Sequence, residues 1–288
     1  MAGRTGAIMT VKLVTNDRIA ETSSLGNQEK WLENGIWYKL DQFGYEALTE
    51  TIVSKLLECS NIETDTPFTF VRYQMERLHV HGYDRVGCAS KDFLQPGESL
   101  ITVNRLLTSM YGSPLKQKLE QLSSNKKRIA YLAQATAECT GLEHFPAYLT
   151  LLFELDGLIL NDDRHLNNIA VIEKQGVYRY CPIFDNGAGL LSNTRVLPMD
   201  IDPKGLIPSL EARPFCTTFN RQILSATGMY GVQLQIPQFT CAELMEWLRP
   251  MLTYYAERDR SYIADRVCTC ILQRQKRLPT GHPGRTMR

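Results

Sequence analysis

Apolar and polar positions alternate early in the chain. Residues 10–14 (TVKLV) alternate and are closed by a polar TNDR stretch, and a second extended run, residues 36–40 (IWYKL), follows Glu33, Asn34 and Gly35. Extended runs around an Asn-Gly pair predict a β-hairpin. From Tyr45 the spacing changes: Leu48, Ile52, Leu56 and Cys59 recur every three or four residues with Glu and Lys between them. That period predicts an amphipathic helix over 45–59. The β-branched and aromatic content of residues 68–73 (FTFVRY) predicts a strand, and shorter strands are expected at 85–89 and 99–103.

Beyond Asn104 the pattern turns helical. Residues 114–140 are rich in Leu, Gln, Lys and Ala, and residues 145–160 (FPAYLTLLFELDGLIL) read as a strongly apolar core helix. Two strand-like runs follow, IAVIE and VYRYCPIFD, separated by Lys174, Gln175 and Gly176. Residues 191–215 carry Pro198, Pro203, Pro208 and Pro214 with little periodicity, which predicts a long loop of the kind that often carries function. Residues 221–273 return to helix, and 276–288 form a basic tail. This order predicts an α+β protein with two lobes: a strand-rich N-lobe over 1–103 and a helical C-lobe over 104–275. A cleft between lobes is a common ligand site.

The chain of 288 residues is 43% hydrophobic, enough for a sizeable core. Its 32 Lys and Arg against 31 Asp and Glu leave a formal charge of +1, which points away from nucleic acid or an anionic membrane as the direct partner. No apolar run reaches the roughly 18 residues of a membrane span, and the stretch 149–160 is interrupted by Glu154 and Asp156. The first residues are too polar for a signal peptide, so a cytoplasmic protein is expected, with secretion as an effector left open. The eight cysteines are scattered without a CxxC pair and read as free thiols.

The densest polar cluster, Asn161-Asp162-Asp163-Arg164-His165-Leu166-Asn167-Asn168, joins the apolar helix to the next strand. Charges and amides between two buried elements are costly unless they are used. Further on, Asp185 closes an apolar strand and precedes Asn186 and Gly187. Phosphoryl transfer asks for this kit: a carboxylate to take the proton of the attacking hydroxyl, and an amide oxygen with a second carboxylate to hold magnesium. Asp163, then Asn168 five residues later, then Asp185 on the next strand keeps that order. Singly, the two Asp clusters are also ordinary turn signals. A two-metal hydrolase built on Asp163, His165 and Asp185 is the competing reading, but the five His are scattered. His165 is read as a loop anchor near the catalytic group.

Such a site also needs a front-lobe cation for phosphate. Lys39 lies among apolar neighbours on a predicted strand, with Glu46 as first choice of helix partner and Glu50, one turn on, as second. Upstream, Ser23, Ser24, Gly26 and Asn27 belong to a small-residue loop whose backbone N–H groups can approach phosphate.

At these residues the chain resembles the HipA-like kinases, most closely the compact, CtkA-type members. The matching segments are SSLGNQEKW, WYKLDQFGYEALTETIVSKLL, GESLITVNRLL, LDGLILNDDRHLNNIAV and PIFDNGAGLLS, in order over about residues 22–192, with ARPFCTTF (212–219) as a further one. The resemblance implies a two-lobed fold related to phosphatidylinositol kinases, with ATP and magnesium (Mg2+) in the cleft. It implies Asp163 as catalytic base, Asn168 and Asp185 as metal ligands, and Lys39 as the ATP-phosphate lysine. It also implies a hinge over Glu98–Val103, with Glu98, Ile101 and Val103 against adenine, and autophosphorylation at Ser23 or Ser24. The expected activity is transfer of phosphate to a serine or threonine of a protein substrate. A lipid or small-molecule kinase and a non-catalytic nucleotide-binding module are the alternatives. HipA carries an additional N-terminal subdomain, and an antitoxin or a separately encoded subdomain is left open as a partner.

Overall fold

The structure is a computed structural model that describes residues 28–279 and the backbone of Lys12 and Leu13. The front of the chain forms a five-stranded sheet in the order β1-β4-β5-β3-β2, from β1 (Lys12–Leu13), β2 (Lys30–Glu33), β3 (Ile36–Leu40), β4 (Tyr73–Val80) and β5 (Tyr83–Lys91). The β2–β3 hairpin turns at Asn34 and Gly35, whose φ angles of 52° and 74° are the left-handed pair a two-residue turn demands. Trp31 stacks on its cross-strand partner Tyr38, with ring centroids 5.4 Å apart. Because strand side chains alternate in direction, Tyr38 and Leu40 enter one apolar cluster with Leu78 and Val80. Lys39 between them faces the other way, toward helix α1 (Glu46–Glu58). A one-turn helix, α2 (Ile62–Asp65), follows α1.

The expected strand over 68–73 is not formed. Phe70 makes an isolated parallel bridge to Ile183, while Val71 N–H donates to Ile183 O at 2.9 Å. The regular strand starts at Tyr73 and runs through Gln74, Glu76 and Arg77, charged and amide positions that hid it.

The chain leaves the five-stranded sheet at Lys91 and reaches a second, three-stranded sheet through residues 92–98. That sheet has the order β6-β7-β8, from β6 (Ser99–Thr102), β7 (Ala170–Lys174) and β8 (Val177–Tyr180). Residues 99–102, assigned to the N-lobe on sequence, therefore pair inside the back half, with Ile101 opposite Val171.

Helices α3 (Val103–Tyr111), α4 (Leu115–Glu120), α5 (Asn125–Thr140), α6 (Phe145–Ile159), α7 (Pro203–Leu206), α8 (Phe219–Tyr230), α9 (Cys241–Leu252) and α10 (Glu257–Arg274) build the back of the molecule. Their starts follow capping chemistry: Thr102, Ser124, Asp202, Thr218 and Thr240 each accept a first-turn backbone N–H. Helix α6 is buried along nearly its whole length, from Phe145 to Ile159, and forms the centre of the main core. The long loop expected over 191–215 holds two short helical turns, α7 and a 3-10 turn at Ile207–Ser209. The strand-rich front and helical back agree with the α+β, two-lobed expectation.

Candidate active site

Four residues singled out for chemistry come from three separated segments. Lys39 is on β3, Asp163 and Asn168 are on the loop between α6 and β7, and Asp185 follows the Ile183 bridge. Lys39 Nζ donates to Glu50 Oε1 and to Asp185 Oδ1, both at 2.8 Å. The helix partner of Lys39 is thus Glu50, not Glu46. Glu46 is occupied at the helix start, accepting from Phe43 N–H at 2.7 Å and Gly44 N–H at 3.0 Å. The choice follows from geometry: Glu46 is the first residue of α1, and Glu50 lies one turn further on, level with Lys39.

Lys39 and Glu50 are buried, and Asp185 is half-buried beside them. The Lys39 and Glu50 side chains are 9% and 1% exposed. Burial opposes the charge on Lys39, but Asp185 and Glu50 outweigh it and raise its pKa well above the usual lysine value. Burial pushes Asp185 up, but the Lys39 ammonium beside it holds the carboxyl far below the usual range. Asp185 adopts φ 61°, a left-handed conformation that Asp tolerates and that its neighbours must hold. A side chain at Gly187 would crowd Glu46 Cβ at 3.3 Å and Glu50 Cγ at 3.4 Å, so glycine lets this loop close on α1.

Glu50 has a second task. Its Oε2 accepts from Asn186 N–H at 2.9 Å. Asn186 Oδ1 in turn accepts from Arg164 Nη2 at 2.7 Å. Arg164 is fully buried and donates to both carboxylate oxygens of Asp156 on α6, to Phe184 O at 2.9 Å and to Asn168 O. A continuous polar chain therefore runs from β3 through α1 to the core helix. Arg164 and Asp156 were not singled out as site residues on sequence. Their signal was there: two carboxylates, Glu154 and Asp156, in a strongly apolar helix, the second eight residues before an Arg in a polar loop.

The loop 161–168 is shaped by its own bonds. Asn161 Nδ2 donates to Asp156 Oδ1, and Asn161 Oδ1 accepts from Asp163 N–H at 3.1 Å. Asn168 N–H donates to His165 O at 2.8 Å, and Asn168 Nδ2 donates to Asp163 O at 3.2 Å. Asn168 Oδ1 is then the acceptor end of that amide. Arg164, not His165, anchors the loop: the His165 side chain is exposed, and its charged form would lower the pKa of Asp163. Asp163 is also exposed. Loss of surrounding water raises its pKa, His165 lowers it, and the charge of Asp185 raises it further. Asp162 is raised to about 6 by burial and by the charge of Asp163. Arg213, from the 212–219 segment, favours the ionised form of both. Asn168 Oδ1 and the Asp185 carboxylate are hard oxygen donors, the type magnesium takes, with its other positions left to water and phosphate.

Between the two sheets, Phe93 and Phe184 lie 5.8 Å apart and pack against both small apolar clusters. The front cluster holds Val71, Tyr73 and Cys88, and the back one Ala170, Ile172 and Cys181 with Leu100. The hinge expected over Glu98–Val103 shifts accordingly, since residues 92–98 make the crossing. Val103 is buried, with its N–H donated to Ile169 O, so it has no face for a ligand. Ile101 packs against the helical core. Glu98 is held by Arg179 at 2.5 Å, whose bonds bring its carboxyl down to about 2. Lys30, cross-strand from Lys39, is a further cation here. Burial lowers its pKa while Asp185 raises it. Ser23, Ser24, Gly26 and Asn27 lie outside the described residues.

No protein-family model matches the chain, and no curated protein matches it in sequence. Among solved structures, it is similar to the proinflammatory kinase CtkA of Helicobacter pylori, with a TM-score of 0.58 and 15% identity over 88% of this chain and 89% of that one. A weaker likeness is to HipA of Shewanella oneidensis MR-1, solved in a toxin–antitoxin complex with HipB and operator DNA. There the TM-score is 0.48, with 13% identity over 88% of this chain and 64% of that one. The strand-rich front and the helical back thus share the fold of CtkA.

Proposed function

We propose that the chain is an ATP-dependent serine/threonine protein kinase of HipA-like type. The observation that carries this reading is the Lys39–Glu50–Asp185 ion cluster, joined through Asn186 and Arg164 to the loop that bears Asp163 and Asn168. Kinases use such a lysine, carboxylates and amide around one triphosphate, which supports the reading.

Lys39 holds phosphate oxygens, and Glu50 fixes its ammonium. Asn168 and Asp185 would hold magnesium, which would supply positive charge beside the phosphates. Asp163 orients the acceptor hydroxyl and takes its proton. The acceptor oxygen bonds to the γ-phosphorus as the bond from that phosphorus to the bridging oxygen of ADP breaks. In this reading the rings of Phe93 and Phe184, at the crossing between the sheets, offer an apolar surface to adenine. Ser23 and Ser24 are the sites for self-modification. A cytoplasmic location belongs to the same proposal. Among the described residues no helix is long and apolar enough to cross a membrane.

The test is transfer of label from γ-labelled ATP with magnesium to generic protein acceptors and to the chain itself, with Asp163→Asn as control. The variant is expected to lose about a thousandfold in rate while still binding nucleotide. Equal labelling by both proteins would overturn the reading. Parallel arms with lipid vesicles and with small hydroxyl compounds separate the acceptor classes, and label confined to either arm would replace a protein acceptor by that class.

A further inference from the structure

Asp41 follows β3 directly and meets three separate parts of the molecule: β5, the start of α1 and the turn after α9. Its N–H donates to Val86 O at 2.9 Å, and its carbonyl accepts from Arg85 Nη2 at 2.8 Å. Its Oδ1 accepts from Ala47 N–H, in the first turn of α1, at 2.6 Å. Its Oδ2 accepts from the hydroxyl of Tyr255 at 2.7 Å. Tyr255 lies in the turn between α9 and α10, where Arg260 Nε donates to its carbonyl at 3.0 Å. The neighbouring Tyr254 reaches the same sheet: its hydroxyl donates to Met75 O at 3.3 Å, and its carbonyl accepts from Arg77 at 2.9 Å.

The spacing gives this contact a consequence. Asp41 extends the pairing of β3 by one residue through Val86 O, so Lys39 and Asp41, two apart along the chain, share a face, and Ala47 and Glu50 are three apart on one helix. Asp41 to Ala47 and Lys39 to Glu50 are successive ties between the same two elements. The first tie is gripped from the helical lobe by Tyr255.

We propose that Asp41 and Tyr255 form a positioning pair that sets the reach of Glu50 to Lys39 and so the affinity for nucleotide phosphate. This deepens the kinase reading and rests on it. Neither residue touches the reacting atoms. They act through α1.

The experiment is calorimetric titration of the full chain with a non-hydrolysable ATP analogue and magnesium. Tyr255→Phe keeps the ring and removes the hydroxyl. It is expected to raise Kd roughly tenfold, the loss of one buried hydrogen bond, with Tm lowered by no more than about 4 °C. In a Lys39→Met background the same change is expected to alter Kd less than about twofold, because its effect passes through Lys39. An unchanged Kd, or an equal loss in both backgrounds, would overturn the pair. Should the wild-type chain bind no nucleotide, the kinase reading itself fails. The pair is then judged by the urea midpoints of Tyr255→Phe, Glu50→Gln and the double variant. Non-additive shifts support it and additive ones refute it.

Discussion

The two halves of the candidate site are built differently. On the phosphate side, Lys39, Glu50, Asn186, Arg164 and Asp156 form a buried chain in which each charge has a partner. On the acceptor side, Asp163 and His165 are exposed, and their loop is shaped by the side chains of Asn161 and Asn168 as well as by backbone bonds. A nucleotide presents the same phosphates each time, so its contacts can be held rigidly by the core. An acceptor must enter and leave, and its half of the site is open to solvent. The nucleotide half should therefore govern stability as well as binding, and the acceptor half should govern rate alone.

The largest expected effect tests the second part. Asp163→Asn should cost about a thousandfold in kcat yet move the unfolding free energy by no more than about 0.5 kcal/mol, as for other exposed substitutions. A destabilisation of several kcal/mol, measured by urea unfolding, would erase the contrast. Next is Arg164→Ala, which leaves Asp156 buried without its cation and should cost about 4 kcal/mol of stability. A loss below about 1 kcal/mol would show that the buried chain is not what holds the two loops together. Glu50→Gln keeps an acceptor for Asn186 N–H and retains Asp185 as a partner for Lys39, so its cost should be smaller, about 2 kcal/mol. It should also weaken nucleotide binding about tenfold by calorimetry.

The smallest effect is in the pH profile. In the proposed role Asp163 would work ionised, and its pKa is raised above the usual carboxylate value by loss of surrounding water. The acid limb of kcat/KM should follow that raised pKa, with activity falling as the pH drops through it. Arg213 favours the ionised form, so Arg213→Ala should move the limb to higher pH by a few tenths of a unit. A shift to lower pH, or none, would remove Arg213 from the acceptor side.

Much of this arrangement was legible in local pattern. Asn34-Gly35 specifies its hairpin because few other pairs accept two left-handed residues. The helix over 45–59 follows its apolar period, and the buried helix over 145–160 follows its continuous apolar run. Other elements were not legible because their cause lies far along the chain. Strand β4 carries charge at Glu76 and Arg77, and Arg77 is satisfied by Tyr254, 177 residues away. Residues 68–73 have strand composition, but their pairing is a single bridge to Ile183, which breaks regular geometry. The 99–103 segment read correctly as extended, yet the sheet it joins was decided by β7, some seventy residues later.

Residue types and spacing alone determined which side chains could do phosphoryl chemistry: a lysine on a strand, an Asp five residues before an Asn, and an Asp before a Gly turn. Only the tertiary structure chose Glu50 over Glu46, made Arg164 rather than His165 the anchor, moved the crossing between sheets to 92–98 and joined Tyr255 to Asp41. The physical reason is one of range. Strand and helix periods are local properties of the backbone, readable a few residues at a time. The partner of a buried charge is whichever group folding brings within about 3 Å, and that group can lie anywhere in the chain.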